Sequence, residues 1–441
     1  MKLIPYTRAC FVPIVIIIGL LATSTFAEPL TAEGCVDGKI VQSIALEGLK
    51  HTREAVVLRE LQNASGHPFS LELWKKEQRT LQDLDLFADV KLECSADSAS
   101  LVLHYQLLEL FQYLPSPTVK QSDQDGWMVG GALAALNLFG YGIRAEVQAR
   151  TTVDPWMQAK EYAFYASAPW AGSKPISWSA QLIRDDSWDP LRNFKDDSWN
   201  SEFDAKALSS LRWGGLITGG FRSMQHTSDS LAWLSTHGSD WVPALGAGVV
   251  FDNRDALWDT RKGIYSEWRV TQNGGVLGGA ADYTEYLWDA EGSLPLGPGL
   301  VRATSLVRLR PGTVGFYDRL QQGGANTLRG FSPDSSVHGN SEIIENLEWR
   351  EPILERKSLR VLGIQGYYGL QWVLGVDGAW LWDKGNPGWD DYRSSVYAGI
   401  HIVVPAIDRI RIEVGANPRT GTWAITVGLF EKAVTQRWRS R

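Results

Sequence analysis

Alternation of apolar and polar residues is the main pattern of the chain between residues 126 and 430. Over 143–150, for example, Ile, Ala, Val and Ala alternate with Arg, Glu, Gln and Arg, and the same period returns at 408–415 and 421–430. A period of two is that of a β-strand with one apolar and one polar face. Segments of about ten residues of this kind, separated by turns, are typical of a transmembrane β-barrel.

The segments amount to an even number, as an antiparallel barrel with both ends on one side requires. We find about eleven before residue 323, of which 230–236 is the weakest, and about five after it. The later five are at 341–352, 370–382, 395–404, 408–415 and 421–430. The sequence thus predicts an all-β transmembrane antiparallel barrel of about 16 strands over residues 123–430.

Tryptophan helps to decide between a membrane barrel and a soluble all-β protein, whose strands would alternate as well. The chain contains 20 Trp residues, many of them near predicted strand ends. Over 371–382, Trp372, Leu374 and Val376 share one face with two further Trp residues. Aromatic rings at strand ends form the girdle of a barrel at the membrane interface. We therefore expect this apolar face to meet lipid.

Residues 35–112 have a different pattern, which predicts a small α+β domain. Strand-like segments at 40–48, 90–93 and 101–108 flank two helical ones, of which the second covers 70–87. The predicted order is therefore β-α-α-β-β. Residues 113–122, with prolines at two alternate positions, are interpreted as a stiff linker to the barrel.

Residues 1–27 have the features of a secretory signal peptide. Lys2 and Arg8 precede an apolar run over 11–22, and Ala27 ends a stretch suited to cleavage. A membrane anchor is the alternative interpretation, although the apolar run is short for spanning a bilayer.

The predicted signal peptide affects how the three cysteines are interpreted. Its removal would take Cys10 away and leave Cys35 and Cys94 in an oxidising compartment. A disulfide between these two is then the expected state. Two unpaired thiols are the alternative.

A glycine-rich run at 323–331 breaks the alternation and carries one arginine, Arg329. Because a buried, unpaired guanidinium is very costly, Arg329 needs acidic partners. The alternation that turns Trp372 outward turns Asp377 inward, and Glu348 points inward on the preceding strand. We therefore expect Arg329 to meet Glu348 and Asp377 inside the barrel. The alternatives are a solvated surface turn, or charges that only line a wet lumen.

Net charge and motifs exclude several classes of function. The net charge of −7 argues against a nucleic-acid partner. The seven His residues are scattered, and no nucleophile elbow, phosphate-binding loop or zinc-spaced His/Cys set is present. We therefore expect no enzymatic activity, no metal and no cofactor.

Several motifs together resemble the outer-membrane assembly superfamily, which includes BamA, TamA and the two-partner secretion transporters. Leu328-Arg329-Gly330-Phe331, preceded by two glycines, is similar to the barrel-plugging loop of that family. Asp252, Arg254, Asp255 and Gly263 are similar to its Asp-x-Arg-Asp turn, although Thr260 stands where the family has proline. Locally paired charges in a tight turn are the simpler interpretation of that second motif.

The predicted domain at 35–112 resembles the POTRA domain of the same family, in a member with one such domain. The resemblance implies a location in the bacterial outer membrane, with the POTRA domain in the periplasm. It also implies insertion of proteins into that membrane, or translocation of a polypeptide. The implied partners are the lipid bilayer, an unfolded client polypeptide and a periplasmic partner at an edge strand of the POTRA domain. A passive pore or structural barrel without clients is the alternative. Residues 431–441 would be a basic C-terminal tail.

Overall fold

A computed structural model describes most of the chain. The residues described are 32–96, 100–122, 126–153, 159–189, 194–209, 212–228, 231–255, 260–324, 327–331, 338–361, 364–405 and 408–428. The predicted signal peptide and the predicted basic tail lie outside them. Among the residues so described, no helix is long and apolar enough to cross a membrane.

An N-terminal module of α+β structure occupies residues 32–110. Its elements are β1 (Ala32–Glu33), β2 (Ile40–Glu47), α1 (Glu54–Leu58), α2 (Leu71–Asp83), β3 (Phe87–Ala96) and β4 (Ser100–Glu109). The strand order is β1-β3-β4-β2, in which β3 and β4 are antiparallel and the outer pairings are parallel. Apart from the two-residue β1, these are the elements that the sequence pattern predicts.

An apolar core joins the helices of the module to its sheet. Ser70 caps α2 by accepting a hydrogen bond from the backbone N–H of Leu73. Helical spacing then turns Trp74 and Leu81 inward, where both are at most 1% exposed. The core therefore has the composition expected of a water-soluble domain.

Glu77 is the one charged side chain of α2 that is completely buried in this core. It accepts hydrogen bonds from the Tyr105 hydroxyl at 2.7 Å and from Asn63 Nδ2 at 3.0 Å. Burial, together with the neighbouring carboxylate, raises the pKa of Tyr105, so that this hydroxyl keeps its proton and remains a donor.

Cys35 and Cys94 form a disulfide, with their Cα atoms 4.9 Å apart. The bridge ties the start of the module to β3, beside the point where β1 adds to that strand with Ala32 opposite Leu92. β1 covers part of the outer edge of β3, and β2 forms the opposite edge of the sheet. The start of that edge is covered, because backbone groups of residues 66–69 hydrogen-bond to those of residues 38–41.

Residues 113–122 are not a linker, and this prediction is wrong. They form the first strand of the large sheet and pair with residues 126–135 from Tyr113 opposite Ala135 to Ser122 opposite Gly126. Pro115 and Pro117 lie on the exposed face of this strand. The two prolines suggested a linker because proline cannot donate a ladder hydrogen bond, but at alternate positions they also serve as apolar outward residues.

The rest of the described chain has nineteen strands, of which seventeen form one large antiparallel sheet and two short ones form a separate two-stranded ladder. Sixteen of the nineteen are six residues or longer. The nineteen strands are β5 (Tyr113–Ser122), β6 (Gly126–Leu138), β7 (Ile143–Thr152), β8 (Lys160–Ala168), β9 (Ile176–Asp189), β10 (Phe194–Leu208), β11 (Trp213–Gln225), β12 (Ser239–Asp252), β13 (Gly263–Gly274), β14 (Asp282–Leu296), β15 (Gly299–Leu309), β16 (Gly312–Thr313), β17 (Leu320–Gln321), β18 (His338–Gly339), β19 (Ser341–Val361), β20 (Ile364–Trp382), β21 (Tyr392–Val404), β22 (Asp408–Ala416) and β23 (Trp423–Gly428). Three short 3-10 helices are at Gly275–Leu277, Phe316–Asp318 and Trp389–Asp391.

The sixteen long strands follow one another in the order of a closed barrel, and β23 lies next to β5. Eleven of them precede the glycine-rich loop, but β5 takes the place of the predicted strand at 230–236, which is wrong. The described residues 231–236 form a loop instead, and the backbone N–H groups of Leu234 and Ser235 donate to Asp240. A buried carboxylate with local backbone donors competes here with strand formation.

The two faces of the sheet have opposite chemistry. Trp372, Leu374 and Val376 are 36%, 53% and 46% exposed on the outer face. On the inner face, Asp377 and Glu348 are at most 2% exposed. The inner surface therefore carries the charges and the outer surface the apolar side chains, which is the reverse of the arrangement in a water-soluble domain.

Candidate functional site

The glycine-rich loop is a compact structure that folds against the inner wall of the barrel. The short ladder of β17 and β18 forms its neck, with Leu320 opposite Gly339. The backbone N–H of Gly324 donates to the carbonyl of Phe331 at 2.9 Å and closes the loop. Gly324 has a φ of +83°, a conformation that favours glycine.

Leu328 anchors the loop by packing into an apolar seat. It is completely buried against Leu306, Ile344 and Ala379. These three are cross-strand partners on β15, β19 and β20, so the seat is a row across the wall. Phe331 lies against the same cluster. Burial of a leucine side chain of this kind contributes about 2 kcal/mol.

Arg329 makes the polar contact of the loop and is only 7% exposed. Its backbone N–H donates to Asp377 Oδ2 at 2.9 Å, and its Nη1 lies 3.3 Å from Asp377 Oδ1. Its Nε lies 3.1 Å from Glu413 Oε2. The guanidinium also stacks on the ring of Tyr397, 3.8 Å from the centroid. One cation is thus held by two carboxylates and an aromatic face.

Neighbouring polar side chains fix both carboxylates in place. Asp377 accepts hydrogen bonds from Asn346 Nδ2 at 2.7 Å and from the Ser395 hydroxyl at 2.9 Å. Glu413 lies 2.9 Å from Nε2 of His401, which is itself completely buried. The acids therefore keep their geometry through contacts that do not involve the loop.

Gly330 is the point of closest approach between the loop and the wall. It has a φ of +88°, and a Cβ atom there would lie 2.7 Å from the backbone nitrogen of Ala416. A Cβ atom on Gly415 would lie 2.4 Å from the backbone nitrogen of Gly330. Two glycines facing each other thus let the loop backbone touch the backbone of β22.

Glu348 is not a partner of Arg329, and this part of the prediction is wrong. It pairs with Arg350 and with Arg302, whose Nη1 lies 3.4 Å away. The reason is Tyr397, which stands between Arg329 and Glu348 and donates its hydroxyl to Glu348 at 2.8 Å. The place of the second acid at the arginine belongs to Glu413.

The charged turn after β12 forms a second cluster at the other end of the strands. Arg254 Nη2 lies 2.6 Å from Asp252 Oδ2, and its Nη1 lies 2.9 Å from Glu291. Asp255 accepts hydrogen bonds from the next backbone groups of the turn at 261 and 262. Gly263 has a φ of +119° and passes so close to Arg254 that a Cβ atom there would be 2.6 Å from its Cα.

Arg302 joins this turn to the surroundings of the loop. Its two Nη atoms lie 3.0 Å from Glu291 and 3.4 Å from Glu348. The two motifs that the sequence singles out are therefore parts of one lumenal network, which runs from Arg254 through Glu291 and Arg302 to Glu348. Sequence spacing does not reveal this link, because it depends on the register of β14, β15 and β19.

The arrangement is built to hold a loop. Each acid described above has a cationic or hydrogen-bonding partner, and the site presents a packed interface instead of an open cleft. Within the ranges that the structure describes, no group of three or more His, Cys, Asp or Glu side chains is placed to hold a metal ion.

Residues 137–422 match the model of the Omp85 superfamily domain. No curated protein sequence matches the chain.

Three solved structures share the fold. The crystal structure of BamA from Haemophilus ducreyi lacking POTRA domains 1–3 is 14% identical, with a TM-score of 0.51 over 88% of this chain and 82% of the BamA chain. CdiB from Acinetobacter baumannii is 12% identical, with a TM-score of 0.54 over 88% of this chain and 72% of its own. CdiB from Escherichia coli is 14% identical, with a TM-score of 0.59 over 88% and 74%. At these identities the likeness is one of fold.

Proposed function

The chain belongs to the Omp85 superfamily, and on this premise we propose that it inserts proteins into the bacterial outer membrane or moves a polypeptide across it. Membership of this family and the structural neighbours indicate the outer membrane as its location. The further statements below, on the roles of the loop, the seam and the module, are parts of the same proposal.

The observation that carries the proposal is a charge-lined lumen, filled in part by a held loop, inside an apolar wall. An unfolded polypeptide has backbone groups that cannot remain unpaired in lipid. A polar lumen such as the one around Asp377 and Glu413 can receive them. Arg329 braces the loop against β20, β21 and β22, which follow one another towards the last strand of the barrel.

The junction of β5 and β23 is where a client strand would pair. These are the first and last long strands, and they are neighbours in the sheet. Pro115 and Pro117 lie in β5 and have no N–H to donate to either neighbouring strand. A strand with missing donors is more easily separated from its partner than one with a complete ladder.

The N-terminal module would act as a POTRA domain in the periplasm. It contacts the barrel at the strand ends opposite the loop, where Arg79 lies 2.6 Å from Asp255 and Tyr367 donates to Asp85 at 2.6 Å. Its edge strand β2 is covered at its start by residues 66–69, and residues 43–47 of that strand would offer the backbone groups to which an extended partner segment can add as a further strand. With the module in the periplasm, the loop enters the lumen from the extracellular side.

Client assembly tests the proposal. The full chain is reconstituted in lipid vesicles, a small unfolded outer-membrane barrel is added, and its folding is measured by gel shift and protease protection. We expect the wild-type chain to accelerate folding and Arg329→Ala to remove most of the acceleration. Arg419→Ala, in the exposed turn before β23, is the matched control and should leave it unchanged.

Single-channel recording separates this function from that of a passive pore. A large, steady conductance that Arg329→Ala leaves unchanged, together with no effect on client folding, would mean that the chain is a pore. In cells, depletion of the chain should lower the amount of at least one folded outer-membrane or secreted protein. Normal levels of all such proteins after depletion would contradict the proposal.

A further inference from the structure

Glu345 is a carboxylate on the outer, apolar face of the barrel. It is exposed on β19 beside Leu347, which is 50% exposed on the same face. Ile343, two residues earlier on this face, lies opposite Trp380. Trp380 is an aromatic residue of the kind that marks the membrane interface. Glu345 thus lies one outward-facing position further into the membrane than the row of Trp380.

This carboxylate has no cationic partner among the residues that the structure describes. Its one side-chain hydrogen bond comes from the Ser305 hydroxyl at 3.4 Å. Glu348, by contrast, faces inward three residues later and pairs with Arg350 and Arg302. A charge on the lipid face of a barrel is destabilising, and the more so the deeper it lies in the membrane. A partner from outside the chain would offset that cost.

A furrow in the outer wall surrounds Glu345. Its row of cross-strand partners runs over five neighbouring strands through Ala290, Ser305, Glu345, Gly378 and Ser394. Every member except Glu345 is small, so the row is a trough, about 19 Å long at the usual strand spacing. The trough has a volume of about 700 Å³.

The sides of the furrow are apolar and aromatic. Leu347 and Val376, partners in the next row, form an exposed ridge along it. At its other side the rings of Trp380 and Tyr392 lie 4.4 Å apart, and Tyr392 reaches over Gly378. A long apolar chain fits such a trough, and electron-rich ring faces favour a cation near its polar end.

We propose that this furrow binds a phospholipid with a primary ammonium headgroup, with an acyl chain in the trough and the ammonium paired with Glu345. A primary ammonium has N–H groups that can donate charge-assisted hydrogen bonds to Glu345. A quaternary ammonium has no N–H group to donate, and an anionic headgroup would be repelled by the carboxylate. A second copy of the chain, related by a two-fold axis through the furrow, would bring two carboxylates together, and this disfavours a symmetric dimer there.

Native mass spectrometry of the delipidated full chain in detergent tests the proposal. Phosphatidylethanolamine, phosphatidylcholine and phosphatidylglycerol with the same acyl chains are titrated separately. We expect phosphatidylethanolamine to bind most tightly. Glu345→Gln should weaken its binding about tenfold, as expected for the loss of a hydrogen bond to a charged group, and should leave phosphatidylglycerol binding unchanged.

Two further variants make the result specific. Glu351→Gln, on the same strand and face but outside the furrow, is the matched control and should bind all three lipids as the wild type does. Ala303→Leu, in the row of Leu347 at the side of the furrow, lines the same cavity and should weaken binding of all three lipids by narrowing the trough. Heat-modifiability on gels checks that each variant is folded. The experiment needs only a folded barrel, so its outcome is independent of whether the chain assembles clients.

Equal binding of the three lipids to the wild type would overturn the proposal, and so would unchanged phosphatidylethanolamine binding in Glu345→Gln. If that variant instead loses a co-purifying protein while lipid binding stays the same, the furrow is a protein-docking surface and the lipid assignment is wrong.

Discussion

The N-terminal module and the barrel lumen fill their interiors in opposite ways. The module core consists of side chains such as Trp74, Leu81 and Leu103, with Glu77 as a buried exception. The lumen around the loop consists of Arg329, Asp377, Glu413 and further charges, with the seat of Leu328 as its apolar exception. The apolar interior of the module thus contains one buried charge, and the charged interior of the barrel contains one apolar cluster.

This difference reflects the solvent that each part meets. A domain in water gains stability by removing apolar area from it, so its charges are on the outside. A barrel wall in lipid gains nothing from an apolar interior, and its stability depends on complete pairing of the charges inside. Loss of one side chain should therefore have different consequences in the two regions.

Arg329→Ala should have the largest effect, because it leaves Asp377 and Glu413 buried without their shared cation. Breaking a buried ion pair in this way costs about 3–5 kcal/mol. We expect a lower fraction of folded barrel on heat-modifiability gels and a lower midpoint of urea unfolding in bilayers. Asp377→Ala should act in the same direction, and Arg419→Ala should not. Equal heat-modifiability of Arg329→Ala and wild type would contradict the pairing described here.

Leu81→Ala should destabilise the module without affecting the lumen. Removal of this fully buried side chain leaves a cavity and costs about 2–5 kcal/mol. Limited proteolysis of the full chain in urea should cut the module at a lower concentration than in the wild type, while the barrel remains resistant. Simultaneous loss of both parts would show that the two interiors are one cooperative unit.

Tyr397→Phe should have an intermediate effect on the stability of the barrel, and it separates the contribution of one lumenal hydroxyl from that of the ion pairs. The ring that stacks on Arg329 remains, but Glu348 and Asn346 lose the hydroxyl between them. An unmet buried polar group costs about 1–3 kcal/mol. The unfolding midpoint should fall less than in Arg329→Ala. A loss as large as that of Arg329→Ala would mean that the hydroxyl contributes as much as the ion pairs of Arg329.

Arg79→Ala should have the smallest effect on stability. Arg79 and Asp255 join the module to the barrel, but both side chains are partly exposed, and such pairs contribute about 0–1 kcal/mol. Urea unfolding should therefore remain close to that of the wild type. Hydrogen exchange in the turn at 253–255 should increase, and unchanged exchange there would show that the pair does not hold the module.

The faces of the strands follow from sequence, since alternation is a local property. Neighbouring residues alone are enough to predict that Trp372 faces outward and Asp377 inward. They are also enough to identify Arg329 as the cation of the loop. Which acids meet Arg329 depends on the register of strands distant in sequence, and a shift of two residues exchanges one inward acid for another. Glu413 belongs to the alternating segment at 408–415, but nothing local to that segment places it beside residue 329.

Proline explains the other error. Local composition makes residues 113–122 look like a linker, because two prolines interrupt backbone donors. These residues pair with residues 126–135, and this pairing, which the local sequence does not reveal, makes them a strand of the barrel. Similarly, residues 231–236 have weak strand character, and the carboxylate of Asp240 organises them as a loop.

Hydrogen exchange at the tip of the loop in bilayer-embedded protein tests most directly whether the loop is held inside the barrel. The Arg329 N–H donates to Asp377, so peptides covering residues 327–331 should exchange as slowly as those of β20. In Arg329→Ala they should exchange much faster, with β20 unchanged. Exchange in the wild type at the rate of an unstructured peptide would contradict the held loop.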